Sequence, residues 1–174
     1  GLLSPVLWGI LKVYQQKRIL TLFNPEIDPL GAAYQIIQSK TAIGAGGWFG
    51  KGWGQGTQTH LKFLPVQESD FIISVIGEEF GFIAILILIT LFTLLILRTL
   101  RLAYNVDDRF SSLVLLGLST IFTAHVFVNF AMTVGMIPVK GLPLPFISYG
   151  GSFLLSSYVM VAFIMNLSID PKDY

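Results

Sequence analysis

Residues 80–97 read FGFIAILILITLFTLLIL, a run without a single charged side chain. A helical membrane span needs about 20 predominantly apolar residues. Backbone groups in lipid must bond within their own segment, so the run is expected to be a helix. Phe71 to Val75 extend it towards the N-terminus across Glu78-Glu79, giving a span expected at 71–97. Two further runs lie downstream, expected at 110–137 (uncharged if His125 is neutral) and at 150–169. Upstream, Leu2 to Val13 is about half a span. Because the chain opens Gly1-Leu2-Leu3, residues 1–13 are read as the tail of a truncated helix.

Composition agrees with a membrane class. Hydrophobic residues make up 53% of the 174 positions and charged residues only 12%, against about 25% charged in soluble domains. Mean hydropathy is +0.72. The net charge of +1 offers no bulk attraction for nucleic acid, and the absence of cysteine removes disulfide and thiol chemistry. The expected fold class is an all-α polytopic membrane protein with three complete transmembrane helices, a truncated one and a long extracytoplasmic loop at 14–70.

That loop differs in composition from the spans. Ala33, Ile36, Ile37, Lys40 and Ile43 follow helical spacing, with Gln35, Gln38 and Ser39 on another face. A short amphipathic helix on the membrane surface is expected there. Seven glycines between Gly44 and Gly56 then argue against regular structure, and Trp48 and Trp53 suit the headgroup level. Arg98, Arg101 and Arg109 in one short connection, against Lys140 in the other, put 98–109 in the cytoplasm. Lys17, Arg18, Lys40, Lys51 and Lys62 in the long loop argue the other way, but long loops count for less and these cations suit an anionic ligand.

Several residues are candidates for chemistry. Gln67-Glu68-Ser69-Asp70 meets the first complete span. The plainer reading is helix capping; the functional one is a carboxylate at the membrane boundary, where lost water strengthens a base. Glu78 and Glu79 sit either in a cavity or at the interface. His125 and Asn129 share a helix face, where an interhelical hydrogen bond is the plainer reading. The segment 138–152, PVKGLPLPFISYGGS, is an extended re-entrant connection that either lines a site or forms a rigid loop. No metal-ligand spacing is present, with His60 and His125 far apart and no cysteine.

Taken in order, NPEIDPLG at 24–31, YQIIQSK at 34–40, GKGWGQGTQ at 50–58, FLP followed by SDFI at 63–72, and GLPLPFISYGGS at 141–152 resemble the SEDS family (shape, elongation, division and sporulation). The wording at 28–40 and 56–59 is closer to its elongation branch than to its division branch. The resemblance implies the C-terminal part of a ten-helix bundle in the bacterial inner membrane, inactive without the remaining helices. It also implies a glycosyltransferase that polymerises lipid II for cell elongation and shape, working beside a class B penicillin-binding transpeptidase in the elongation machinery. Asp70 falls on the family's catalytic aspartate. Gln38, Ser39, Ser148, Tyr149, Gly150, Gly151 and Ser152 fall on its substrate-binding motifs, and Lys40, Lys51 and Lys62 are candidate phosphate contacts. A divalent cation could share that electrostatic task, though no ligand set is readable. Where the family carries Pro-Glu-x-His-Thr-Asp this chain has Pro65-Val66-Gln67-Glu68-Ser69-Asp70, placing Val66 at the glutamate and Glu68 at the histidine. The rival readings are a transporter of the same lipid and a non-catalytic scaffold for the transpeptidase.

Overall fold

A computed structural model describes residues 15–16, 19–20, 32–56 and 69–168. The expected partial span at 1–13, most of the loop before residue 32, and residues 57–68 with Lys62 lie outside them. Among the described residues every regular element is helical. The helices are α1 (Ala32–Gly46), α2 (Ile72–Asn105), α3 (Arg109–Thr133) and α4 (Gly151–Leu167).

Helices α2 and α3 are long and apolar enough to cross a membrane, while α4, at 17 residues, falls just short. Their apolar side chains are mostly outside any protein core. Leu86, Ile87, Leu91 and Leu94 on α2 and Leu113 and Phe127 on α3 are exposed, as lipid-facing residues are. Hydroxyls on these helices return to the preceding turn. Thr90, Thr93 and Thr120 each donate to the carbonyl four residues back, at 2.8 Å, which leaves no bare donor for lipid. The chain is a membrane protein.

The link between α2 and α3 is short, so the two helices run antiparallel. Asp108 caps α3, accepting from the Ser111 amide at 2.8 Å and from its hydroxyl at 2.7 Å. These bonds, the amide first, hold the Asp108 carboxyl below its usual pKa. The Ser112 hydroxyl reaches back to the Ala103 carbonyl at 2.6 Å and closes the corner.

At its far end α3 stops earlier than expected. Gly135 takes a left-handed φ of 72°, its amide bonds the Met132 carbonyl, and the Met136 amide bonds that of Ala131. This is a Schellman stop, which glycine favours because it lacks a Cβ. Gly135 followed by Pro138 is the signal that a reading based only on apolar length passes over.

Helix α1 departs further from expectation. It packs along α2 through Ala33, Ile36, Ser39, Ala42 and Gly46, all buried. Ser39 is therefore on the packed face, and Ile37 is on the exposed one. The helix also continues through Gly44 to Gly46 instead of breaking at the first glycine. Small residues explain both differences. A Cβ on Gly46 would overlap the Gly77 carbonyl of α2, so the helices meet backbone to backbone.

Candidate functional site

Asp70 lies in the turn immediately before α2. Capping is not its role: Phe71 occupies the N-cap position and no side chain bonds the first turn. Its Oδ1 instead accepts from the Ser69 hydroxyl at 3.0 Å. Its Oδ2 faces Gly141, where an added Cβ would come within 3.3 Å of it. Gly141 has φ 65°, so lack of a side chain serves both the turn and the approach of the carboxylate.

The backbone under this carboxylate is held at two points. Asn129 of α3 donates its Nδ2 to the Asp70 carbonyl at 3.3 Å and to the Leu142 carbonyl at 2.8 Å. Ser148 donates to the Ser69 carbonyl at 2.6 Å and accepts from the Leu144 amide at 2.8 Å. The 138–150 connection and α3 thus grip the Ser69–Asp70 turn from both sides. His125, one turn before Asn129, bonds the Pro143 carbonyl through Nδ1 at 3.2 Å. His125 and Asn129 both serve the 138–150 connection, where an interhelical bond was the plainer expectation.

Ser39 and Lys40 come close to the same place from α1. The Ser39 hydroxyl bonds that of Ser74 at 2.7 Å and the Thr133 carbonyl at 2.7 Å, with no exposed surface. It ties three helices together and has no surface to offer a substrate. Lys40 is exposed, and its ammonium lies over Gly135, within 2.9 Å of where a Cβ would stand. Ile36, Phe71, Met132 and Val139 form one apolar cluster beneath. Lys40 and Asp70 therefore flank a common base. Gln38 is half-buried on the neighbouring face.

Lys51 sits elsewhere. Its Nζ is 3.0 Å from Oε1 of Glu78, which is fully buried roughly two turns along α2 from Asp70. A buried carboxylate needs such a partner. This ion pair accompanies a break in α2 that the sequence reading does not anticipate. Gly81 has φ 78° and ψ −174°, so the amides of Phe82 and Ile83 lose their helical acceptors, Glu78 and Glu79. The glycine loop fills the gap. Phe82 donates to the Gly47 carbonyl at 2.9 Å and Ile83 to that of Trp48 at 3.3 Å. In return the amides of Lys51 and Gly52 donate to the carbonyls of Glu78 and Glu79 at 2.9 and 3.0 Å. All four orphaned groups are satisfied, as burial demands.

The SYGGS residues divide. Ser148 is buried in the clamp, whereas Tyr149, Gly151 and Ser152 are exposed around the start of α4, with Gly150 as its N-cap. Phe146 supports the segment in a left-handed φ of 66°, stacked on Phe122 at 5.8 Å with Tyr158 edge-on. A non-glycine residue held there costs about 1–3 kcal/mol, which the ring contacts offset. Among the described residues no three His, Asp or Glu side chains gather to hold a metal ion. No residue set for a divalent cation is therefore identified.

Comparison with known proteins places this arrangement. The FtsW/RodA/SpoVE family, described as "Cell cycle protein", matches residues 1–173. The peptidoglycan glycosyltransferase MrdB of Escherichia coli K12 is 49% identical over 169 residues, covering 97% of this chain and 46% of that protein. The probable peptidoglycan glycosyltransferase FtsW of Trichlorobacter lovleyi is 48% identical, covering 91% and 42%. RodA of Treponema pallidum is 43% identical, covering 91% and 37%. One solved chain, described under "Structural coordination of polymerization and crosslinking by a peptidoglycan synthase complex", aligns with a TM-score of 0.73 at 32% identity, over 96% of this chain and 45% of that one. The chain spans less than half the length of these relatives. With a match over nearly its whole length, it belongs to the FtsW/RodA/SpoVE family of cell cycle proteins, the SEDS family whose motifs it carries.

Proposed function

We propose that this chain carries the catalytic aspartate of a peptidoglycan glycosyltransferase that polymerises lipid II during cell elongation. The observation that carries the reading is Asp70: it caps no helix, its carboxylate is aimed across Gly141, and the turn under it is held by Asn129 and Ser148. Such rigid support suits a base whose position must be reproduced at every turnover. The relatives named as peptidoglycan glycosyltransferases supply the substrate class.

In this reading the Asp70 carboxylate takes the proton of the acceptor sugar hydroxyl as that oxygen bonds to the anomeric carbon of the donor. The bond from that carbon to the pyrophosphate oxygen breaks, and the lipid pyrophosphate leaves with the bonding electrons. Lys40, exposed beside the same apolar cluster, is a cation placed to meet the departing charge. Gln38, Tyr149, Gly150, Gly151 and Ser152 offer accessible surface around the site, while Ser39 and Ser148 shape it from within. Lys51 would have to leave Glu78 to meet a phosphate, and Lys62 lies outside the described residues. The multi-pass placement in the bacterial inner membrane, the extracytoplasmic loop at 14–70 and a class B penicillin-binding partner belong to the same proposal.

Asp70→Asn in the full-length protein tests it. The amide keeps the size and can still accept from Ser69, so folding and membrane level should hold. Polymerisation of lipid II should fall at least ~10²-fold, the lower end of general-base contributions. Near-normal polymerisation by this variant would remove Asp70 from the chemistry. Lipid flipping without polymer in wild-type vesicles would favour a transporter.

A further inference from the structure

The chemistry above leaves five aromatic rings at the break in α2 unexplained. Trp48, Phe49, Trp53, Phe80 and Phe82 are all exposed, Phe49 and Trp53 by 82% and 83%. Four of them are ordered into pairs. Trp48 meets Phe82 edge-on at 5.5 Å, and Trp53 meets Phe80 edge-on at 5.6 Å. One pair stands on each side of Gly81, and the four loop-to-helix backbone bonds carry both on a fixed frame. Isolated exposed rings need no explanation, but a cluster of this size marks something that covers it.

We propose that these five rings form a collar seated in the lipid headgroup layer, which sets the depth of α2 in the membrane. Three observations commit the surface to lipid. The first is chemical: two exposed indoles flank a glycine-rich turn that carries Lys51 between them, a mixture of apolar rings and polar groups that the membrane–water interface favours. The second is distance. From Phe82 to Arg98 α2 rises about 24 Å, and to Arg101 about 28 Å, against a hydrocarbon core of about 30 Å. The third is continuity. Between collar and arginines the exposed side chains of α2 are uncharged and overwhelmingly aliphatic, among them Leu86, Ile87, Leu91 and Leu94.

The collar has a consequence for the carboxylates. Glu78 and Glu79 precede it, so both fall on the headgroup side and neither enters the hydrocarbon. The break at Gly81 then lies at the interface, where its polar splice with the glycine loop costs least. This inference rests on α2 crossing a bilayer and does not depend on glycosyl transfer.

Depth measurements by spin labelling test it in the full-length protein, freed of any other cysteine and reconstituted in phosphatidylcholine–phosphatidylglycerol vesicles. Labels go singly at Phe49→Cys, Trp53→Cys, Ile87→Cys and Tyr104→Cys, and accessibility to oxygen is compared with that to a water-soluble nickel chelate. Ile87 should give the highest oxygen-to-nickel ratio and Tyr104 the lowest. Phe49 and Trp53 should both fall between them, at headgroup depth. Among the described residues Phe49 has no ring partner to lose, so agreement between the two sites shows that the label has not displaced the collar. The proposal is overturned if Phe49 reads as aqueous as Tyr104 or as deep as Ile87. Shielding from both reagents would overturn it too, by assigning the rings to a protein contact.

Discussion

Asn129 is fully buried in an apolar helix, and its amide nitrogen serves two carbonyls, one of them on Asp70. Its Oδ1 accepts no hydrogen bond among the described residues, so the donors are what the position uses. Asn129→Leu keeps the volume and strands both carbonyls, at about 1–3 kcal/mol for each buried group left unmet. The predicted outcome is a lower melting temperature together with at least ~10-fold lower kcat for polymerisation and little change in KM, because the carboxylate shifts while the substrate surface stays. Asn129→Asp, which cannot donate when ionised, should fail likewise. A kcat preserved in both variants would show that the turn holds itself. Asp70 could be picked out in the sequence because it stands where a polar loop meets an apolar run. Its support could not, since Asn129 is linked to carbonyls far away in the chain and nothing local signals them.

At the scale of elements, glycine spacing says different things at different positions, and only packing tells them apart. Gly44 sits inside α1 with open space around it, so Gly44→Ala should stabilise by about 0.5–1 kcal/mol through helix propensity alone. Gly81 combines a positive φ with a site where a Cβ would strike the Trp48 carbonyl and the Gly50 amide. A residue other than glycine held at this φ and ψ costs roughly 1–3 kcal/mol before that overlap is added. Gly81→Ala should therefore destabilise by more than ~2 kcal/mol in thermal unfolding in detergent, opposite in sign to Gly44→Ala. Two variants melting alike would mean that the loop is not spliced into α2. The break escapes a reading of FGFIAILILITLFTLLIL because nothing there is charged; its cause is a loop some thirty residues upstream. The end of α3 at Gly135 was readable in principle, since glycine and then proline are local stop signals. Apolar length masked them.

Across the whole molecule, charge and apolar length foretold an all-helical membrane protein correctly, because a bilayer acts on every residue of a span and leaves its mark in composition. Sidedness is a weaker imprint, carried by few charges. Arg98 and Arg101 on the last turns of α2, with Arg109 starting α3, flank a tight corner whose side chains are largely exposed. Asp70, Lys40 and the aromatic collar stand at the opposite end of α2. A positive corner retained in the cytoplasm would put the site on the outer face, where lipid-linked sugars must be joined if the strand is built outside the cell. The chain has no native cysteine, so Lys62→Cys and Arg109→Cys give single labels within it. In intact cells a membrane-impermeant thiol reagent should mark position 62 and spare 109, which becomes reactive only after permeabilisation. The reverse pattern would invert the topology and leave Asp70 on the wrong side of the membrane for the reaction proposed.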